Sequence, residues 1–274
     1  PSHVLPWNVR LVRGMRVVTT VHDLGFLHFP QAHTTFQNVY LRVSTRWAAW
    51  AADTVIAISQ ATAHDLQQFT HVAPTRIHVI PHGVAPLFSP HAATPQRWTR
   101  YLLYVGTLQP RKNLARVIEA FAQAPCHPDT QLLIAGRTGW LSEPLQALAL
   151  QHGVGERVHL LGFVPDAQLP GLLASARAFV FPSLYEGFGM PVLEAMASGV
   201  PVLTSTTSAL PEVAGDAAVL VDPSDVHAIA DAMGRIDCDE MLHAQLVARG
   251  LRHAQHFSWQ RCAMQTLAVL CGQA

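Results

Sequence analysis

This chain predicts an α/β protein built on parallel sheets, and three observations carry that prediction. Strand-like apolar runs alternate with helix-like segments along its 274 residues. Half of those residues are hydrophobic, enough to bury a real core in two domains of ordinary size or one large one. The alternation breaks once, between Pro81 and Pro95, where a proline-rich stretch lacks either periodicity and reads as an interdomain linker. The expected boundary therefore lies near residue 95.

Before the linker, residues 16–21, 54–58 and 77–80 read as strands, about half of a doubly wound domain. Between the first two, Phe36, Tyr40, Val43, Trp47 and Trp50 recur at spacings of four and three and so share one face of a helix. That face is expected to pack on the core. With Arg42 and Arg46 beside it, the other reading is a lipid- or acceptor-facing surface. After the linker come six candidate strands, residues 101–105, 131–135, 157–160, 178–181, 200–203 and 217–221. Helical segments separate most of them, so this half can form a complete doubly wound sheet.

Formal net charge is zero and no lysine- or arginine-rich run occurs, which excludes the electrostatic footprint of a nucleic-acid binder. The sixteen histidines are scattered, and His22, His28 and His33 match neither HExxH nor a zinc-finger spacing. Cys126, Cys238, Cys262 and Cys271 lie far apart with no CxxC, as suits a reducing compartment. No apolar run is long enough to span a bilayer, and the start lacks the parts of a signal peptide. It also lacks an initiator methionine, so the expectation is that the first part of a longer protein is missing.

Two segments carry chemistry. Glu186 and Glu194 bracket Gly187-Phe188-Gly189-Met190-Pro191-Val192-Leu193 at the turn between the strand at 178–181 and a helix expected to start near Pro191 and stop at Gly199. The glycines let a ligand approach the backbone, and proline suits the first helical turn, whose N–H groups are free to hold phosphates or hydroxyls. Glu194 is expected in that first turn, where a carboxylate also complements the helix dipole. In the second segment the strand at 101–105 runs into Gly106-Thr107-Leu108-Gln109-Pro110-Arg111-Lys112-Asn113, with Asn113 expected as N-cap. Arg111 and Lys112 then sit at the positive end of a helix, where cations are unfavourable unless an anion joins them. Both segments follow the carboxyl ends of strands in one sheet, where open α/β sheets bind ligands. Two cations suit a diphosphate and two carboxylates suit sugar hydroxyls, which together read as a nucleotide-sugar site.

On these residues the chain resembles the retaining glycosyltransferases of family 4, bacterial mannosyltransferases among them, over nearly its whole length. The most specific match is the E-x7-E segment from Glu186 to Glu194, followed by Gly106 to Asn113. Weaker matches are Val21-His22-Asp23-Leu24, Val55 to Ser59, Val79 to Val84 and Ala209 to Gly215. The resemblance implies the GT-B fold, two Rossmann-like doubly wound domains, here with the first incomplete. It implies a partial acceptor-side domain over 1–95, a donor-binding domain over 96–256, and a helix over 257–274 packing back on the first domain. It implies that Arg111 and Lys112 hold the donor diphosphate near Gly106 and Thr107. Glu186 and the amides of Gly187, Phe188, Gly189 and Met190 would hold the donor sugar, Glu194 the ribose, and His22 would reach across the cleft to the transferred sugar.

The implied reaction moves a sugar, mannose from GDP-mannose, onto a glycan or lipid-linked acceptor with retention of configuration. The nucleotide sugar is a substrate, and neither cofactor nor metal is called for. A cytoplasmic location follows, with peripheral contact on the inner face of the membrane. Two departures stand out: many family members carry Gly-Arg where this chain has Gly106-Thr107, and the family's opening strands and glycine-rich loop are not in this sequence. The rival readings are a nucleotide-sugar epimerase, a glycoside hydrolase with two carboxylates, and an inactive nucleotide-sugar-binding fragment. Asp237-Cys238-Asp239 has the letters of a metal-binding Asp-x-Asp but reads better as a helix start.

Overall fold

The computed structural model describes residues 16–137 and 144–273. They form two compact units. The first holds the described residues up to Gly83, then Glu186–Phe188, and the chain from Phe257 on; the second holds Val84–Tyr185 and Gly189–His256.

The first unit is a three-stranded parallel sheet in the order β1-β2-β3, made of β1 (Val18–Val21), β2 (Thr54–Ala57) and β3 (Ile77–Val79). Short α1 (Gly25–His28), long α2 (Thr35–Ala51) and α3 (Gln60–Thr70) connect the strands. Sequence sets these starts: Thr34 and Gln37 form a capping box on α2, and the Ser59 hydroxyl accepts from the Thr62 N–H to cap α3. Central β2 is buried on both faces, and its alternating side chains feed two cores. Val55 packs with Val21, Leu24, Phe26, Ala49, Ala52, Leu66 and Val72. Ile56 packs with Ile80 and, from the C-terminal helix, Val269.

Four of the five residues of the aromatic stripe of α2 do not face that core, and the fifth, Trp47, is half-buried. Ser44, Thr45, Ala48, Ala49 and Ala51 are the residues α2 buries, while Phe36 is 80% exposed and Tyr40, Val43 and Trp50 are exposed by half or more. Small side chains let the helix axis come close to the sheet, so the alanine face wins the contact and the larger side chains lie opposite. Arg46 and Arg42 stack on Phe69, at 4.5 and 5.9 Å from its ring centre.

The second unit is a doubly wound sheet. Its strands are β4 (Tyr101–Val105), β5 (Gln131–Ala135), β6 (Val158–Gly162), β7 (Ala178–Phe181), β8 (Val202–Ser205) and β9 (Ala218–Val221), all parallel, in the order β6-β5-β4-β7-β8-β9. The crossovers contain α4 (Leu114–Gln123), α5 (Leu145–Gln151), α6 (Leu169–Ala174), α7 (Met190–Ala197) and α8 (Leu210–Ala214). After β9 come α9 (Val226–Cys238) and α10 (Glu240–Ala254), and α11 (Trp259–Cys271) closes the chain in the first unit. Strand β8 starts later than the sequence suggests because Pro201 has no N–H to donate; its carbonyl instead accepts from Phe179. Strands β4 and β7 are neighbours although three crossovers separate them, so the strand order reverses between them. That reversal is where a doubly wound sheet opens a crevice at its carboxyl edge.

The Asp-x-Asp letters are used structurally. Asp237 is fully buried, accepting from Arg100 Nε at 2.9 Å, the His127 N–H at 2.8 Å and Thr130 Oγ1 at 2.8 Å. Asp239 caps α10 through the Leu242 N–H at 2.9 Å. Among the described residues no helix is long and apolar enough to cross a membrane.

Candidate functional site

Two loops of the second unit flank the reversal between β4 and β7. After β4 the chain passes Gly106 and Thr107 and makes one 3-10 turn, Pro110–Lys112, before α4. Arg111 and Lys112 thus stand within three residues of the first helical residue, Leu114, at the positive end of α4. Lys112 is buried, with Nζ 4.8 Å from the centre of the Phe181 ring at the end of β7, a cation–π contact. Arg111 donates from a guanidinium nitrogen to the Tyr185 carbonyl at 2.9 Å, and the Leu184 N–H donates back to the Arg111 carbonyl at 2.8 Å. The two loops are stitched in both directions.

Asn113 has a different task from the one its position suggests. It adopts the left-handed conformation, φ 64°, and makes no side-chain capping bond to α4. Its buried side-chain amide instead donates to the carbonyls of Pro182 at 3.0 Å and Pro223 at 2.7 Å, and its oxygen accepts from Arg116. One side chain thereby ties the loops after β4, β7 and β9 together.

The second loop enters α7 through Gly189, whose φ of 112° is a conformation that residues with a Cβ rarely adopt. Met190 opens the helix and Pro191 lies in its first turn. Glu194 is the fifth helical residue, past the first turn where the sequence placed it, because the helix begins no earlier than Met190. It is half-buried, and burial, with Asp166 adding to it, pushes its carboxyl up to about 7. Complementing the helix dipole therefore does not account for this carboxylate.

The three residues between these loops and α7 group with the first unit. Glu186 is buried, 8% exposed. The Gly187 carbonyl accepts from Ser59 Oγ at 2.7 Å and Thr62 Oγ1 at 3.1 Å. A Cβ on Gly187 would collide with the His22 carbonyl oxygen and lie 2.6 Å from Asp23 Cβ, so only glycine fits there. The Phe188 ring meets His82 edge-on at 5.4 Å, and His82 lies 5.6 Å from His22 and 5.3 Å from Trp259. Burial, together with neighbouring His22, holds the His82 imidazole below its ordinary range. His22 itself is exposed and directly follows β1.

The second unit thus holds Gly106, Thr107, Arg111, Lys112, Gly189, Met190 and Glu194, and the first holds His22, Glu186, Gly187 and Phe188. Sequence reasoning matched the segments Val55 to Ser59 and Val79 to Val84 but gave Ser59 and His82 no role, passed over Thr62, and saw Asn113 only as a cap. The signals were present: Ser59 ends the apolar run Val55-Ile56-Ala57-Ile58, and His82 lies in Val79-Ile80-Pro81-His82-Gly83.

A doubly wound sheet with a cationic loop and a glycine-rich helix start at its reversal, in a chain that holds a second α/β unit, defines a glycosyltransferase of the GT-B fold. Residues 94–253 match the family described as Glycosyl transferases group 1 and residues 2–86 match Glycosyltransferase Family 4; the chain belongs to glycosyltransferase family 4. It is 35% identical over 279 residues to O-antigen chain mannosyltransferase B of Escherichia coli, spanning 97% of this chain and 72% of that protein. It is 34% identical over 220 residues to the MMP alpha-(1->4)-mannosyltransferase of Mycolicibacterium hassiacum, spanning 78% of this chain and 53% of that protein. Among solved structures it is similar to sucrose-phosphate synthase from Thermosynechococcus elongatus, with a TM-score of 0.78 and 25% identity over 96% of this chain and 69% of that one.

Proposed function

We propose that this chain carries the donor-binding and part of the acceptor-side machinery of a retaining mannosyltransferase. The donor is GDP-mannose and the acceptor a hydroxyl of a glycan or lipid-linked saccharide. The observation that carries this reading is the stitch between Arg111 and the loop at Leu184-Tyr185, which puts two cations and two helix starts at the β4/β7 reversal. A diphosphate is the ligand class such an arrangement suits. The mannose assignment leans on the two relatives that are named as mannosyltransferases.

In this mechanism residues 96–256 bind the donor, residues 1–95 form the acceptor side and residues 257–274 complete that side. Arg111, Lys112 and the amides at the start of α4 neutralise charge building on the departing diphosphate, with no metal required. The acceptor oxygen bonds to the sugar's anomeric carbon on the face from which the diphosphate oxygen leaves, and that oxygen takes the acceptor's proton. Configuration is retained. Glu186 and the amides from Gly187 to Met190 hold the donor sugar, Glu194 the ribose hydroxyls, and His22 contributes a hydrogen bond to the transferred sugar. The exposed aromatic face of α2, Phe36, Tyr40, Val43 and Trp50, supports peripheral contact with the cytoplasmic membrane surface that presents a lipid-linked acceptor.

The test is a turnover panel of GDP-mannose, UDP-glucose and dTDP-rhamnose with a glycan acceptor. GDP-mannose is expected to give transfer with retention. Preference for a uridine donor would refute the mannosyl assignment, and release of free sugar without an acceptor would point to hydrolysis.

A further inference from the structure

Two hydroxyls at the start of α3 have a common target that helix capping does not require. Ser59 Oγ accepts from the Thr62 N–H at 3.0 Å, which is its capping bond. Its single proton then faces two acceptors, the Gly187 carbonyl at 2.7 Å and the Thr62 hydroxyl oxygen at 3.0 Å, and the shorter bond is the one to the carbonyl. Thr62, which has no capping duty, sends its own hydroxyl proton to the same oxygen at 3.1 Å. Both side chains are fully buried, so neither bond is shared with water. One donor would satisfy that carbonyl. A second donor occupies its other lone pair and fixes the rotation of the peptide plane.

The peptide after Gly187 is trans, as all described peptides are, so holding its carbonyl against α3 turns the Phe188 N–H the opposite way. Among the described residues the N–H groups of Phe188, Gly189 and Met190 have no hydrogen-bond partner. The space on the other side is restricted as well, because the His22 carbonyl and Asp23 fill the place where a Cβ on Gly187 would stand. We propose that Ser59 and Thr62 are positioning residues that lock the Gly187 peptide so that the Phe188 amide is presented to the donor sugar. The inference rests on the donor-site reading above. It adds a pair of hydroxyls, more than 120 residues upstream in sequence, that set the geometry of the glycine-rich turn.

Thr62→Val tests it, because valine matches threonine in shape and leaves the Ser59 cap in place. Thr62→Ser restores the hydroxyl. Three quantities are measured on the full-length protein: amide hydrogen exchange of the segment 183–193, kcat for transfer from GDP-mannose, and the affinity for GDP. In Thr62→Val, exchange at the hydrogen-bonded amides that flank the turn, Leu184 and Val192, is expected to quicken about tenfold, the ratio for losing roughly one hydrogen bond. The kcat is expected to fall by about tenfold while GDP affinity stays within about twofold, since the diphosphate and ribose contacts are untouched. Thr62→Ser is expected to recover both. A folded Thr62→Val protein with unchanged exchange and kcat would overturn the proposal, as would a Thr62→Ser protein as impaired as the valine variant. An equal loss of GDP affinity would also overturn it, by showing general disruption. If the unsubstituted enzyme transfers no sugar from any nucleotide donor, the donor reading has failed, and the exchange measurement alone decides whether the hydroxyls anchor the loop.

Discussion

The Arg111 guanidinium donates to the backbone carbonyl of Tyr185 at 2.9 Å, joining loops that follow the two central strands β4 and β7. The guanidinium is therefore held by the neighbouring loop before any ligand arrives, and a preorganised cation stabilises developing charge without reorganising at the moment of reaction. Arg111→Lys keeps the charge but loses the planar fork that serves the carbonyl and a phosphate together. Its expected effect is a loss of about tenfold or more in donor affinity, with little change in melting temperature. Isothermal titration with the donor checks it.

Gly187→Ala should be far worse than its size suggests. The added methyl meets the His22 carbonyl and Asp23, backbone that cannot move cheaply. A stability loss of about 1–3 kcal/mol and near-complete loss of transfer are expected. Gly189→Ala has a different cause, the cost of a Cβ at φ 112°, about 1–2 kcal/mol. Denaturant unfolding separates both from a variant that fails only in catalysis.

Glu194 gives a pH dependence with a definite sign. Its folded pKa, raised to about 7 from 4.5, means that between those values the folded state holds a proton the unfolded state has released. The contribution to stability is therefore greatest below about pH 4.5 and declines as pH rises towards about 7. Glu194→Gln should remove this term, so its melting temperature should gain on wild type as pH rises through that window. In the ribose role only the carboxylate offers a separate, purely accepting oxygen to each of two hydroxyls, so donor affinity should rise with pH around 7 in wild type and stay flat in the glutamine variant. A wild-type profile flat in both measurements would contradict the assignment.

Asp237→Ala should cost about 3–5 kcal/mol, the penalty for leaving a buried charge network without its carboxylate. Arg100, Thr130 and the His127 N–H all lose their acceptor. Asp239→Ala should cost only about 1 kcal/mol, a lost helix cap. A turnover effect from Asp239→Ala in a fully folded protein would revive the metal reading that this wiring disfavours.

Exposed Phe36 and Tyr40 should tolerate serine without loss of stability, since neither is part of the buried face of α2. If that face meets lipid, the double serine variant should sediment less with anionic vesicles while retaining activity on a water-soluble acceptor. Unaltered sedimentation would remove the membrane contact from the functional reading.

The strands were legible because hydrophobic runs bounded by glycine and proline report local geometry, and β4, β5 and β7 fall where the sequence puts them. The two loops at the β4/β7 reversal were legible as turns because proline opens the 3-10 turn of one and glycine followed two residues later by proline starts the helix of the other. The stripe on α2 misled because periodicity says which residues share a face, not which face packs; Ala48 and Ala49 settled that by fitting closer to the sheet. Asn113 misled because the same amide can cap a helix or bridge loops, and only the fold brings the carbonyls of Pro182 and Pro223 within reach. Ser59 and Thr62 were invisible as site residues because their partner, Gly187, is remote in sequence.

Titration of GDP-mannose into wild type and into the Arg111→Ala/Lys112→Ala double variant is the most direct test of a nucleotide-sugar site at the β4/β7 reversal. Wild type should bind saturably, and the folded double variant should bind at least about a hundredfold more weakly, the combined worth of two charge-assisted phosphate contacts. Equal affinity in the two proteins would contradict it.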